Sequence, residues 1–124
     1  MEEMKFFNLL QKYYCRDAAA LTPVQSLYAA TRAGFLSQQR DDCGLLKEGY
    51  KADLVVLDTD KPYAVPCDSI LNHIAYSACG TDVVLTMCDG KVLYRDGEYT
   101  TVDVEKVTFE CEKVRRRILG GMGK

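Results

Sequence analysis

The chain has 124 residues, 48% of them hydrophobic, and 16 Lys and Arg against 18 Asp and Glu give a formal net charge of −2 at pH 7. That is the length of one domain with enough apolar material for a core, and the balanced charge argues against a general nucleic-acid or membrane-surface binder. No apolar run approaches a membrane span, and the acidic start Met1-Glu2-Glu3-Met4-Lys5 is unlike a basic export signal, so a cytoplasmic chain is expected.

Residues 1–15 carry Met1, Met4, Phe6, Phe7, Leu9, Leu10, Tyr13 and Tyr14 at spacings that include i, i+3 and i+4, which predicts a helix. Its apolar face is wide enough to predict burial on most sides. A free-standing domain seldom opens on such a helix, so the sequence is expected to begin inside something larger. After a linker over 16–21, Thr22-Pro23-Val24-Gln25 predicts a helix start, with Thr22 as cap, Pro23 at the first position and Gln25 completing a capping box. This helix is expected to run to about Leu36. Gly34 inside it either admits a close backbone neighbour or weakens a plain helix by about 1 kcal/mol relative to alanine.

Residues 37–42 read as a loop, and Cys43-Gly44-Leu45-Leu46 as a short strand. Lys47-Glu48-Gly49 then turns into Tyr50-Lys51-Ala52-Asp53-Leu54-Val55-Val56-Leu57-Asp58. The continuous apolar run Leu54 to Leu57 between turn signals predicts a strand buried on both faces. Pro62 and Pro66 mark a surface excursion over 58–66. Ile70, Leu71, Ile74 and Ala75 predict a short helix that passes into a strand-like Tyr76-Ser77-Ala78. Gly80-Thr81-Asp82 is a turn, Val83 to Cys88 a strand, and Asp89-Gly90 a strong type I′ hairpin signal, with Lys91 to Arg95 as the return strand. Asp96-Gly97 leads into a short extended piece, Glu98 to Thr101. Asp103 caps a last helix, with Glu105 in its first turn and Val104, Val107, Cys111, Val114 and Ile118 on one narrow stripe. Residues 120–124 read as a flexible tail.

Chemistry-bearing residues are sparse. The six cysteines, at 15, 43, 67, 79, 88 and 111, form no Cys-x-x-Cys pair. A disulfide framework or metal site is weighed against buried free thiols in a reducing cytoplasm, and the free-thiol reading is favoured. Cys88 at a strand end and Cys111 on the helical stripe both read as core. The single histidine, His73, reads as a strand residue rather than a ligand. Asp53 and Asp58 flank the central strand and resemble a pair of catalytic carboxylates. The preferred reading is that they end the strand and pair with Lys51 or backbone amides. Arg115-Arg116-Arg117 reads as cations complementing a helix C-terminus rather than as a phosphate patch. No catalytic, cofactor-binding or metal-binding residue is assigned.

The stretch Gly49 to Asp58 resembles the Gly-Lys-x-Ala-Asp-Leu-Val-Val-Leu-Asp signature near the C-terminus of amidohydrolase-superfamily enzymes, in their chlorohydrolase and methylthioadenosine/adenosylhomocysteine deaminase branch. Met1 to Lys5 is similar to the family's Phe-Glu-Glu-Met-Lys. Leu21 to Leu27 with Ala30-Thr31 is similar to its Leu-Thr-Pro-x-x-Ala-Leu…Ala-Thr helix. Ala75 to Val83 is similar to Val-Tyr-Ser-Ala-x-Gly-Ser-Asp-Val, and Cys88 to Leu93 to Val-Asp-Gly-Lys-Val-Val. Ala33, Leu45, Cys79 and the stretch Ser37-Gln38-Gln39-Arg40 depart from the family pattern.

The resemblance implies an α+β chain. Residues 1–42 would be terminal helices of a (β/α)8 barrel, 43–101 the C-terminal part of a small composite β-domain with an Asp-Gly hairpin, and 102–119 a closing helix. Family members are several-fold longer, and hold zinc or iron through a His-x-His pair, two further histidines and an aspartate upstream of the segment that Met1 to Lys5 resembles. None of these ligands has a counterpart here. The implied parent is a metal-dependent hydrolase that removes an amino or chloro group from a purine, pyrimidine or triazine ring, and this chain alone is expected to be inactive. The alternatives are a stand-alone assembly module, self-associating through exposed edges or a swapped helix, and a small redox domain using its cysteines.

Overall fold

The computed structural model describes residues 1–121. Helix α1 (Glu2–Cys15) is followed by α2 (Pro23–Tyr28), a π-helical stretch (Ala29–Ala33) and α3 (Gly34–Ser37), which run on as one rod. Strand β1 (Leu54–Leu57), α4 (Ile70–Tyr76), β2 (Val83–Cys88), β3 (Lys91–Arg95), β4 (Glu98–Tyr99) and α5 (Val104–Gly121) complete the described chain. The architecture is α+β.

The start of α2 follows from its cap. The Gln25 backbone N–H donates to Thr22 Oγ1 at 3.3 Å, and the Thr22 N–H donates to Gln25 Oε1 at 2.9 Å. Two of the donors that a helix start leaves orphaned are thereby satisfied. Thr22→Ala will therefore lower stability by about 1 kcal/mol, measured by urea unfolding, with no change in the activity of any assembly that contains the chain.

The sheet is a four-stranded antiparallel meander in the order β1-β2-β3-β4. Leu54 faces Met87, and Cys88 faces Lys91 across the hairpin. Asp89 and Gly90 take φ of 49° and 77°, the positive values that a type I′ turn requires. Asp96 and Gly97 repeat this at 47° and 96°, and the following strand is limited to Glu98–Tyr99.

Helices α1, α2 and α4 pack on one another. They bury Met4 and Asn8, Ser26, and His73 and Ala75 respectively. This centre is small and partly polar. Asn8 is fully buried, its Nδ2 donates to the Met4 carbonyl at 2.9 Å, and its Oδ1 has no partner among the described residues. A buried acceptor left unpaired costs about 1–3 kcal/mol.

Several expectations are corrected by what covers each element. Helix α1 forms as predicted but is not buried on most sides: Phe6 is 58% and Tyr14 86% exposed, because only its Met4–Asn8 face meets α2 and α4. Strand β1 is not buried on both faces. It lies at the sheet edge, and Val55 and Val56 are 55% and 45% exposed. Cys43, Gly44 and Leu45 form bends and Leu46 is irregular, so 43–46 is not a strand. Gly44, at φ +78°, turns the chain there. Tyr76 ends α4, and neither Ser77 nor Ala78 is in a strand. Asp103 caps helix α5 as predicted, accepting the Lys106 N–H on its Oδ1 at 2.9 Å. It continues to Gly121, through part of the expected tail; the remainder, 122–124, lies outside the described residues. The chain exposes 9641 Å², about 3,000 Å² more than the roughly 6,700 Å² of a compact monomer of its size.

Candidate functional site

Two polar clusters tie the sheet to the chain around it. The first centres on Asp53, whose side chain is 11% exposed. Its Oδ1 accepts the Asp89 backbone N–H at 2.6 Å, and its Oδ2 lies 3.4 Å from Arg40 Nη2. The Gly90 N–H donates to the Ala52 carbonyl at 3.1 Å, and Lys51 Nζ stands 3.6 Å from Asp89 Oδ2. The Lys51-Ala52-Asp53 stretch thus grips the Asp89-Gly90 turn through backbone and side chain together. The hydrogen bond from the Asp89 N–H is the main reason the Asp53 carboxyl is held below its ordinary range, with the Cys88 thiol, the Arg40 charge and the Cys43 thiol adding to it.

The thiols beside this carboxylate behave oppositely. Cys43 is fully buried. Its Sγ donates to Asp42 Oδ1 at 3.2 Å and receives Arg40 Nη2 at 3.0 Å. Burial, reinforced by the Asp42 hydrogen bond, pushes the Cys43 thiol up, and hydrogen bonding to Asp53 pushes Cys88 up. A raised thiol is a poor nucleophile at neutral pH, so these two do not support a redox role.

The second cluster centres on Asp82, 1% exposed. It accepts the Tyr63 hydroxyl on Oδ1 and the Cys79 N–H on Oδ2 at 2.8 Å. Its backbone carbonyl accepts the Asp58 N–H at 2.7 Å. The Tyr63 hydrogen bond, then that of Cys79, holds the Asp82 carboxyl low, and the same bond to Asp82 drives the Tyr63 hydroxyl strongly up. Asp58 pairs with Lys61 Nζ at 2.8 Å and accepts the Asp60 N–H at 2.9 Å. The Lys61 hydrogen bond comes first in lowering its carboxyl. Beside this cluster Tyr63, Cys67, Asn72, His73, Tyr76 and Ser77 line an open cleft of about 270 Å³.

Asp53 and Asp58 are therefore strand-end anchors, as their pairing with backbone amides was expected to show. Their cations are Arg40 and Lys61 rather than Lys51, which pairs with Asp89 instead. All three carboxyls are lowered, away from the neutral range that proton transfer needs. His73 is not a strand residue: it sits in α4, 7% exposed. The cysteines are free, but only Cys43 is buried; Cys15, Cys67, Cys88 and Cys111 are exposed and Cys79 is intermediate. The covering layer that would bury Cys88 and Cys111 is not supplied by the described residues. Arg115, Arg116 and Arg117 do not close a helix, because α5 continues past them to Gly121. Among the described residues no group of three or more His, Cys, Asp or Glu is placed to hold a metal ion, and no helix is long and apolar enough to cross a membrane.

Arg40, Tyr63 and Asp82 were missed as anchors. Asp82 had a local signal in its Gly-Thr-Asp turn. Arg40 had none, since its partner Asp53 lies 13 residues on.

A family model described as the amidohydrolase family matches residues 1–93. The chain is 36% identical over 112 residues to a 5-methylthioadenosine/S-adenosylhomocysteine deaminase of Dictyoglomus thermophilum, covering 90% of this chain and 26% of that relative. It is 37% identical over 118 residues to a 5′-deoxyadenosine deaminase of Methanosarcina mazei, covering 95% and 27%. Its fold superposes with TM-score 0.91 on a Xanthomonas campestris adenosine deaminase crystallised with bound zinc, at 27% identity, over 96% of this chain and 27% of that one. A zinc-bound atrazine chlorohydrolase from Arthrobacter aurescens shares the fold over 73% of this chain and 20% of its own, with TM-score 0.68 and 23% identity. The chain thus spans about a quarter of the length of the relatives it matches.

Proposed function

The chain belongs to the amidohydrolase family, and from that premise we propose that it is the C-terminal section of a metal-dependent hydrolytic deaminase acting on an adenosine-type nucleoside. The observation that carries this reading is the identity of 36% over 90% of the chain to a deaminase of 5-methylthioadenosine and S-adenosylhomocysteine. In this reading residues 1–42 close a (β/α)8 barrel, 43–101 complete a composite β-domain and 102–119 form the closing helix. Hydrolytic loss of an amino group needs an activated water and a proton shuttle. The side chains described above do not fit a metal, and the carboxyls of Asp53, Asp58 and Asp82 are engaged and held ionised. The reacting groups therefore belong to the remainder of the enzyme, and this chain contributes support. Its two clusters fix the β-domain against the segments that enter and leave it.

The test is a chimera in which this chain replaces the matching section of the Dictyoglomus thermophilum relative. A folded chimera is expected to deaminate 5-methylthioadenosine, and the 124-residue chain alone, given zinc or iron, to release no ammonia. A folded chimera inactive on every adenosine nucleoside would overturn the proposal, as would deamination by the chain alone. The surface excess of about 3,000 Å² favours a second reading, a self-associating module without activity. An active chimera decides between the two.

A further inference from the structure

The sheet holds two Asp-Gly turns of the same backbone form. Asp89 and Gly90 take φ of 49° and 77°, and Asp96 and Gly97 take 47° and 96°. All four residues are exposed. What differs is how each turn is held. The first is gripped from outside its hairpin. There the Gly90 N–H donates to the Ala52 carbonyl at 3.1 Å, the Asp89 N–H donates to Asp53 Oδ1 at 2.6 Å, and Asp89 Oδ2 stands 3.6 Å from Lys51 Nζ. The second has one such bond, from the Asp96 N–H to the Val84 carbonyl at 2.9 Å. Among the described residues the Gly97 N–H meets no acceptor and the Asp96 carboxylate has no partner. The strand that closes this second turn, Glu98–Tyr99, is two residues long and exposed. It therefore opens at lower cost than the first.

We propose that Asp96-Gly97 is a site of spontaneous covalent modification, where the chain rearranges to isoaspartate, and that the Lys51-Ala52-Asp53 stretch protects Asp89-Gly90 from the same reaction. When the turn opens, the Gly97 nitrogen attacks Asp96 Cγ. An N–Cγ bond forms, the Cγ–O bond of the neutral carboxyl breaks, and its hydroxyl leaves as water with the amide proton. Glycine has no Cβ to hinder this approach. Water then opens the cyclic imide at one of its two C–N bonds. Cleavage at Cγ restores aspartate. Cleavage at the backbone carbonyl leaves isoaspartate, with the main chain routed through Cβ and Cγ. The step needs no oxidant, metal or second protein. The lengthened turn moves Glu98 and Tyr99 out of register with Arg95 and Tyr94, and it separates the Tyr94 and Tyr99 rings, whose centroids lie 5.0 Å apart. At Asp89-Gly90 the attacking nitrogen is engaged and the carboxylate is drawn to Lys51, so both reactants are withheld. The inference is independent of the deaminase reading, and activity of the chimera does not bear on it.

The test ages the full chain near neutral pH, folded and in urea, and maps its peptides by mass spectrometry. The imide is lighter by one water. Isoaspartate keeps the mass of aspartate but resists a protease that cuts before aspartate. In the folded chain isoaspartate should accumulate at residue 96 about tenfold or more faster than at 89, because the protected turn has one more backbone hydrogen bond and a carboxylate acceptor. In urea the two rates should converge. Asp53→Ala and Lys51→Ala, each checked for its fold by circular dichroism, should speed the reaction at 89 and leave 96 unchanged. Equal rates at the two turns of the folded chain would overturn the proposal, as would a faster rate at 89. So would an Asp96 that stays unmodified in the folded chain, whatever urea does. An Asp53→Ala chain that keeps its fold and the wild-type rate at 89 would overturn the protecting role of that grip.

Discussion

Replacing Gly44 with valine will lower the stability of the folded chain by about 2–5 kcal/mol, the sum of a backbone and a packing term. The backbone term arises because Gly44 holds φ +78°, a conformation that β-branched residues resist. The packing term arises because a Cβ at this position would sit 2.9 Å from the Arg32 Cα and 2.9 Å from Phe35 Cδ2. The Arg32 Cα belongs to the helical rod and cannot rotate away as a side-chain tip can. The bend at Gly44 is also what lets Arg32 reach the Cys43 carbonyl, at 2.6 Å from its Nη1, and the Asp41 carbonyl at 2.9 Å. Forcing the bend open removes those contacts together. Gly34 supplies the control with the opposite sign. Its backbone is helical, and a Cβ there would meet only the Ala29 carbonyl at 4.0 Å. Gly34→Ala will therefore stabilise the chain by about 0.5–1 kcal/mol. Urea unfolding of both variants checks the pair. Equal effects at the two positions would refute the close approach at Gly44.

Acid will unfold the chain in a range set by Asp53, Asp58 and Asp82. Each carboxyl is held below its ordinary range in the fold, whereas in the unfolded chain it titrates near about pH 4. Between the two values the unfolded chain binds more protons, so the contribution is complete above about pH 5 and is lost as the pH falls through the folded values. Asp82→Asn and Asp53→Asn should each reduce the protons taken up on acid unfolding, read as a shallower pH dependence of the urea midpoint. An unchanged slope in both variants would refute the clusters as anchors. At the alkaline end Tyr63 and Lys61 are both raised, the first by Asp82 and the second by Asp58. Their contribution is complete below about pH 10 and is lost as the pH rises through their folded values. Tyr63→Phe should flatten that limb.

Much of the fold was legible because its determinants are local. The Thr22-Gln25 box, the Asp103 cap and the Asp89-Gly90 turn each engage groups within a few residues, so residue type and spacing decide them before any tertiary contact forms. Family membership was legible for a related reason: short motifs in fixed order survive on one chain without knowledge of what they touch. The α1 pattern predicts a helix with a wide apolar face, and β1 a strand with an apolar run. Periodicity reveals which side of an element is apolar but not what lies against it. Only the tertiary structure decided that Phe6, Tyr14, Val55 and Val56 stand exposed among the described residues. Only it decided that Gly44 rather than Gly34 admits a close neighbour, and that Asp53 answers to Arg40 and the Asp89 amide while Lys51 turns to Asp89. The Asp53 contacts, for instance, join residues 13 and 36 positions apart, where the path of the intervening chain, not the residue types at its ends, sets which groups meet.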